Sequence, residues 1–320
     1  TFFVTTADAD AGTDADAGTG SGTGILTGSP NIENEKQSAE KFIVHWKGEF
    51  NEGYSTQFRH VELEGALSAI HQQNVDLHFS NALEYNNDSV DMVEAKKILF
   101  EESMQLFQWD NAHQIKQATQ RCSLAHASYQ IIAEGDTYQD LCQAAIQNDV
   151  FKPYYHGGQN ENQTWCFRVR HYGDDVVDEK ATRYGHRARS MTLEHEALQI
   201  MKPLFIQFAG AVRLKNPDCK IYAFDGLIGG KKVLTKRLAQ GPQTSIIAPN
   251  TRICVTNTPL CPLAAFSLCN IAGVQPGSTI LDPYAGSCAT LLAASMISKN
   301  VSTVGIEIAH DGVVNRTDIL

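Results

Sequence analysis

Residues 278–307 read STILDPYAGSCATLLAASMISKNVSTVGIE and decide the fold class. The segment begins with a short apolar stretch that ends on Asp282, continues through a loop that contains Gly286, and closes with a second short stretch that ends on Glu307. Between the two stretches lies an apolar run that is long enough for a helix. Strand, loop, helix and strand in this order predict two parallel strands and a doubly wound α/β sheet.

The carboxylates that end the two strands indicate a nucleoside ligand. A carboxylate after the second strand can accept bonds from both ribose hydroxyls, and a glycine in the loop lets the backbone approach the ligand. A dinucleotide site needs Gly-x-Gly-x-x-Gly, whose backbone amides cradle a pyrophosphate. Here the loop has one glycine, and Asp282 puts a negative charge where a pyrophosphate would lie. The residues therefore favour S-adenosylmethionine (SAM), and a nicotinamide-dependent oxidoreductase or a sheet without a nucleotide are the alternatives.

Length and composition limit the class of protein. The 320 residues predict about two domains. No run of 18 apolar residues occurs, which argues against a membrane span. The eight cysteines include no Cys-x-x-Cys pair, which favours reduced thiols, a cytoplasmic location and no metal site.

One region of this acidic chain is basic. The chain has a formal net charge of −10, but residues 165–240 hold 14 basic and 8 acidic residues. A local basic face can bind phosphate on an acidic protein, because screening confines exposed charges to about 8–10 Å. The sequence is therefore compatible with RNA or DNA binding, and an ordinary solvated surface is the alternative.

Apolar spacing predicts the other elements. The Ala/Asp/Gly/Thr-rich residues 5–30 cannot bury enough apolar surface to fold. Residues 226–249, rich in Gly, Lys and Pro, are typical of a connector. Strands are predicted at residues 41–47, 165–170, 212–223 with an interrupting turn, 278–282 and 302–307, helices at 58–70, 138–145, 190–207, 259–271 and 287–298, and either one at 123–134.

These motifs resemble the THUMP-containing RNA methylase family of class I SAM-dependent methyltransferases, and within it the catalytic subunits of tRNA (guanine-10-N2) methyltransferases. Asp282-Pro-Tyr-Ala-Gly286 is similar to the family's Asp-Pro-Phe/Tyr-x-Gly loop, and Asn257-Thr258-Pro259 resembles its Asn-Thr-Ser segment. Residues 211–218 resemble the last strand of a THUMP domain, the module that binds the tRNA acceptor. Residues 41–46 and 62–67 resemble the N-terminal domain.

The resemblance implies an α/β fold in which N-terminal α+β and THUMP-like domains precede the first part of a class I (Rossmann-like) methyltransferase sheet. It implies SAM-dependent methylation of N2 of a guanine in tRNA, with tRNA and a small zinc-binding activator subunit as partners. The implied domains are a disordered acidic tail at residues 1–40, an N-terminal α+β domain at 41–120, a THUMP-like RNA-binding domain at 121–226, a linker at 227–256 and a partial methyltransferase domain at 257–320.

The resemblance also assigns site residues. The implied cofactor-binding residues are Asp282, Pro283, Tyr284, Ala285, Gly286, Glu307 and Thr258, and the candidate RNA contacts are Arg168, Arg170, Arg187, Arg189 and Lys215.

The chain departs from this family at the catalytic motif. The family aligns the exocyclic amine with an Asp/Asn-Pro-Pro-Tyr/Phe motif, which occurs nowhere in these 320 residues. The stretch from Pro259 to Leu320 is about one third of a seven-stranded methyltransferase sheet. We therefore expect a C-terminally truncated chain in which no catalytic residue can be assigned. The alternative is an inactive THUMP-type tRNA-binding protein with a vestigial methyltransferase portion.

Overall fold

The computed structural model describes residues 3–6, 39–47, 56–82, 103–171, 191–252 and 259–307. Within these ranges no helix combines the length and the apolar character that a membrane span requires.

The strands are β1 (Phe3–Thr6), β2 (Glu40–Trp46), β3 (Ser80–Asn81), β4 (Met104–Trp109), β5 (Ala125–Gly135), β6 (Trp165–His171), β7 (Cys219–Leu227), β8 (Lys231–Gln240), β9 (Ser278–Asp282) and β10 (Ser302–Gly305). The α-helices are α1 (Arg59–His71), α2 (Ala112–Arg121), α3 (Tyr138–Gln147), α4 (Met191–Ile200), α5 (Lys202–Phe205), α6 (Pro262–Ile271) and α7 (Ala289–Ile297). Short 3-10 helices occupy Thr56–Phe58, Asp149–Tyr154, Thr244–Ile247 and Pro249–Thr251.

Seven strands form one mixed sheet in the order β3-β4-β2-β5-β8-β7-β6. Neighbouring strands are antiparallel except for β6 and β7, which are parallel. A parallel pair needs a crossover, and the chain between β6 and β7 includes α4 and α5. The single sheet therefore runs through the ranges predicted as N-terminal domain, THUMP-like domain and linker.

Strand β8 corrects the expectation of a connector at residues 226–249. The structure has ten strand residues there, between β5 and β7. Val233, Leu234 and Thr235 are fully buried in its middle. The lysines on both sides of this apolar centre make the segment look like an exposed connector in the sequence. In the sheet their long aliphatic stems can lie along the strand while the charged ends stay near water. The ambiguous residues 123–134 lie mostly in strand β5. Of the predicted strand at 212–223, residues 219–223 form the first part of β7, and before the interrupting turn only Val212 makes a bridge, to Trp165.

Strand β2 lies in the interior of the large sheet and is buried on both faces. Phe42, Val44 and Trp46 pack on one side in a core that includes Leu63 of α1. Ile43 packs in a separate core on the other side. A nearly continuous apolar run is what a strand covered on both faces requires.

A second, three-stranded sheet has the order β1-β9-β10. β9 and β10 are parallel and are connected through α7, as the sequence predicts. β1 pairs antiparallel with β9, so residues 3–6 of the predicted tail form a strand, while residues 7–38 lie outside the described residues. The predicted α/β class is confirmed.

A buried carboxylate joins the large sheet to this second unit. Glu62 of α1 is fully buried. Its Oε1 accepts hydrogen bonds from N and Oγ of Ser123 (2.7 and 2.9 Å) and from Nδ2 of Asn270 on α6 (2.9 Å). Its Oε2 accepts a bond from N of Leu124 (3.0 Å). Burial raises the pKa of Glu62, and these donors oppose that rise.

Helices α1 and α6 approach each other closely beside this carboxylate. A Cβ atom at Gly65 would lie 2.5 Å from the carbonyl oxygen of Asn270, so only glycine fits between the two backbones. Nε of Arg121 donates to Oδ1 of Asn270 (2.7 Å), and its guanidinium also donates to the carbonyl oxygen of Val274. Backbone and side-chain contacts thus fix α6 against the large sheet.

We expect Glu62→Gln to lower the free energy of unfolding by about 1–3 kcal/mol. The amide replaces an acceptor oxygen with an NH₂ group, so at least one of the buried donors then faces another donor. Urea unfolding followed by circular dichroism measures the change. The control is Glu196→Gln at an exposed position of α4, which should change stability by less than about 0.5 kcal/mol. An E62Q protein as stable as the wild type would contradict a structural role for this carboxylate.

Candidate functional site

Residues 282–288, here called the Asp282 loop, connect β9 to α7. Oδ1 of Asp282 accepts a hydrogen bond from N of Tyr284 (3.0 Å), which closes the first turn of the loop. The carbonyl oxygen of Asp282 accepts a bond from N of Ile306 (2.8 Å), and N of Ala285 donates to the carbonyl oxygen of Ile306 (2.9 Å). The loop is therefore fastened by its backbone to the segment that follows β10.

Gly286 connects the two predicted acids. Its φ of 50° lies in the left-handed region that favours glycine. Its N donates to Oε2 of Glu307 at 2.7 Å. In the parallel register Gly305 lies opposite Asp282, so both acids lie at the carboxyl edge of this sheet. The structure thus brings Asp282, Gly286 and Glu307 together.

The other predicted cofactor residues differ in exposure. Tyr284 is 80% exposed, so its ring is a surface group and does not fill the core. Ala285 is buried and Pro283 is half-buried. Thr258 lies outside the described residues.

Gly305 permits the close approach of the Asp282 loop to β10. A Cβ atom at this position would lie 2.8 Å from Cβ of Ala285 and 2.9 Å from Cδ1 of Leu291. Such distances leave no room for a side chain. A glycine at the end of a strand is a known signal for close backbone approach, and it marks this contact in the sequence.

Arg252 contacts the loop although no motif predicts it. Its Nη1 donates to Oγ of Ser287 (3.0 Å), its Nε to the carbonyl oxygen of Ile247 (2.7 Å) and its Nη2 to that of Leu260 (3.4 Å). Ser287 is buried and directly follows Gly286. The one sequence signal is that Arg252 is the only charged residue between positions 237 and 282.

The predicted RNA contacts lie at two places. Arg168 and Arg170 alternate along β6, and alternate residues of a strand share a face. Arg168 pairs with Glu194 (2.9 Å), whereas the guanidinium of Arg170 lies 5.8 Å from the ring centre of Tyr222. Lys215 is exposed in the turn before β7, near the start of β6. It is therefore distant from Arg170, which lies near the end of β6. Arg187 and Arg189 lie outside the described residues.

Two further cations extend the face of Arg168 and Arg170. Tyr222 of β7 lies opposite Arg168 in register, and Lys220 lies two residues before it on the same side. Burial and the charge of neighbouring Arg237 on β8 lower the pKa of Lys220. We call Arg168, Arg170, Lys220 and Arg237 the basic strip. Lys220 and Arg237 become recognisable as part of it only once the order of β6, β7 and β8 is known.

Comparison with known proteins adds one family match and several distant likenesses. Residues 249–310 match the profile of the family UPF0020, RMKL-like, methyltransferase domain. No curated protein matches the chain in sequence.

Three solved structures have a distant likeness to this chain. TrmN from Thermus thermophilus is 15% identical with a TM-score of 0.42, and the match covers 84% of this chain and 66% of that one. A 4-thiouridine synthetase in complex with RNA and bound ATP is 9% identical with a TM-score of 0.38, covering 85% and 53%. SMU.472 complexed with SAH is 14% identical with a TM-score of 0.36, covering 81% and 55%. This chain spans about half to two thirds of their length, and likeness at this level assigns no activity to it.

We expect Gly305→Ala to lower the free energy of unfolding by about 1–3 kcal/mol, because the new methyl group overpacks the contact with Ala285 and Leu291. Thermal and urea unfolding measure the loss. Ser302→Ala, at an exposed position of the same strand, is the control and should stay within about 0.5 kcal/mol of the wild type. A G305A protein with wild-type stability would show that the loop does not pack against β10 as described.

Proposed function

We propose that this chain binds SAM and RNA as part of a SAM-dependent RNA methyltransferase. The observation that carries the proposal is the bond from N of Gly286 to the carboxylate of Glu307, with Asp282 at the end of the neighbouring parallel strand. The match of residues 249–310 to a methyltransferase-domain family supports it independently.

The side chains at this edge suit the chemical groups of SAM. The carboxylate of Glu307 follows the second parallel strand and accepts a bond from N of Gly286, and a carboxylate at that place suits the ribose hydroxyls of a nucleoside. The carboxylate of Asp282 suits an ammonium group. The exposed ring of Tyr284 offers a flat apolar surface for a ligand to pack on. A loop with one glycine and a carboxylate at its start is poorly suited to a pyrophosphate, so a nicotinamide oxidoreductase is disfavoured.

The contribution of these residues to methyl transfer is to bind and orient. SAM supplies a methyl group on a sulfonium, a good electrophile for an amine nitrogen. Asp282 and Glu307 hold the tail and the ribose at fixed places, because both acids are attached to a loop and a strand end that the backbone locks together. Alignment of this kind accounts for much of the barrier reduction in a two-substrate reaction. No catalytic residue is proposed, since the amine-aligning motif of this family is absent from the sequence.

The basic strip is the proposed RNA contact. Lys and Arg side chains bind phosphates, and Tyr222 offers a ring on which a base can stack. Arg168 contributes less than its neighbours because Glu194 neutralises it. Lys215 is a separate exposed contact, and Arg187 and Arg189 stay predictions from the sequence.

The finer parts of the proposal rest on the sequence resemblance. They are methylation of N2 of guanosine 10 in tRNA, a small zinc-binding activator subunit as partner, a THUMP-like domain at residues 121–226 and a cytoplasmic location.

A second candidate is an RNA-binding protein without methyltransferase activity. The position of the basic strip favours it, because the strip lies on β6, β7 and β8 of the large sheet and the Asp282 loop belongs to the other sheet. It requires the basic strip but not the two acids at the sheet edge.

We expect Asp282→Asn and Glu307→Gln each to weaken binding of S-adenosylhomocysteine (SAH) about tenfold or more, since a bond to a charged group contributes about 1.5–3 kcal/mol. Isothermal titration calorimetry on the 320-residue chain measures the dissociation constants. Asp110→Asn, at an exposed position after β4, is the matched control and should bind like the wild type.

Unchanged SAH affinity in both variants would remove the proposed cofactor site. A wild-type chain that binds tRNA but not SAH would favour the RNA-binding candidate, and one that prefers NAD to SAH would favour an oxidoreductase.

We expect the triple variant R170A/K220A/R237A to bind tRNA more weakly and with a flatter salt dependence. Each lost phosphate contact should reduce the slope of log K against log salt by about 0.7–0.9. Fluorescence anisotropy with labelled tRNA between 50 and 200 mM salt measures this slope. Lys299→Ala, an exposed lysine after α7, is the control. An unchanged slope in the triple variant would exclude the basic strip as the RNA-binding face.

A further inference from the structure

Arg252 carries a positive charge that no carboxylate of the described residues neutralises. Its three hydrogen bonds go to neutral oxygens of Ile247, Ser287 and Leu260. Burial lowers the pKa of Arg252, and the ionisable groups that act on it are the thiols of Cys261 and Cys288. The guanidinium is half-buried, and an anion would be its first charged partner among the described residues.

The guanidinium retains unused donors beside the cofactor site. Arginine has five N–H groups, and the three bonds above occupy three of them. Ser287 directly follows Gly286, whose N binds Glu307. The charge of Arg252 therefore lies beside the Asp282 loop, next to the hydroxyl group of Ser287.

The amino-acid tail of SAM needs a partner for each of its two charges. The tail bears an ammonium and a carboxylate on the same carbon atom. Asp282 and Glu307 can attract the ammonium and the ribose hydroxyls, but neither can bind an anion. Among the described residues, Arg252 is the only basic side chain that hydrogen-bonds to the Asp282 loop.

We propose that Arg252 binds the carboxylate of the cofactor's amino-acid tail and thereby makes the site select SAM and SAH over nucleosides without that tail. The inference rests on the proposed function, because it needs the cofactor to bind at the Asp282 loop. It adds a residue that discriminates by the tail, at a position outside the loop motif.

The test compares two ligands on the 320-residue chain. SAH carries the amino-acid tail, and 5′-methylthioadenosine has the same nucleoside and thioether without it. We expect Arg252→Gln to weaken SAH binding about tenfold or more, as the loss of a charge-assisted bond requires, and to leave methylthioadenosine binding within about threefold of the wild type. Arg213→Gln, an exposed arginine before β7, is the matched control and should change neither affinity.

Arg252→Lys is the second variant, because it keeps the charge and disturbs the packing least. Lysine lacks the planar guanidinium that binds a carboxylate through two N–H groups. The affinity for SAH should therefore fall severalfold, and the affinity for methylthioadenosine should not change. Circular dichroism and thermal unfolding establish that each variant is folded before it is titrated.

Three results would overturn the inference. Equal losses for both ligands would mean that Arg252 shapes the loop and does not bind the tail. Unchanged binding of both ligands with weakened tRNA binding would assign the guanidinium to an RNA phosphate. Unchanged binding of SAH, methylthioadenosine and tRNA would leave it without a ligand. A wild-type chain that binds neither nucleoside would instead reject the proposed function itself, and this inference with it.

Discussion

The buried carboxylate of Glu62 is the interaction on which the arrangement of the chain depends. It accepts hydrogen bonds from Ser123 and Leu124, which directly precede β5, and from Asn270 of α6. One side chain therefore joins the large sheet to the unit that contains the Asp282 loop. Buried carboxylates are costly unless fully hydrogen-bonded, and loss of the acceptor would leave several donors unsatisfied. Because α6 leads directly into β9, fixing α6 also fixes the edge where the ligand is proposed to bind.

The candidate site is built from backbone constraints before any charge is considered. Gly286 adopts a left-handed conformation that points its N–H at Glu307, and Gly305 has no side chain to push the loop away. Asp282 closes the first turn with its own carboxylate. Backbone hydrogen bonds thus hold the loop and strand end that carry the two acids, and Arg252 bonds to the same loop. Positioning of this kind lowers the entropic cost of binding a small ligand.

The second sheet could be predicted from residues that are close in sequence, whereas other parts of the fold depend on contacts between distant residues. Strands β9 and β10 could be read from short apolar runs, a glycine and an acid that are neighbours in sequence. β8 could not, because its lysines resemble a connector until β5 and β7 cover its apolar centre. Glu62 acts through partners 61 and 208 residues away, and no local pattern encodes such distances. Arg252 is intermediate, since it is conspicuous as a lone charge but its contact with the loop requires the fold.

The most direct measurement of the central claim is a crystal structure of the chain with bound SAH. We expect the ribose hydroxyls at hydrogen-bond distance, about 2.6–3.2 Å, from the carboxylate of Glu307, with the amino-acid tail at Asp282. A nucleoside bound at any other place, away from Glu307 and Asp282, would contradict it.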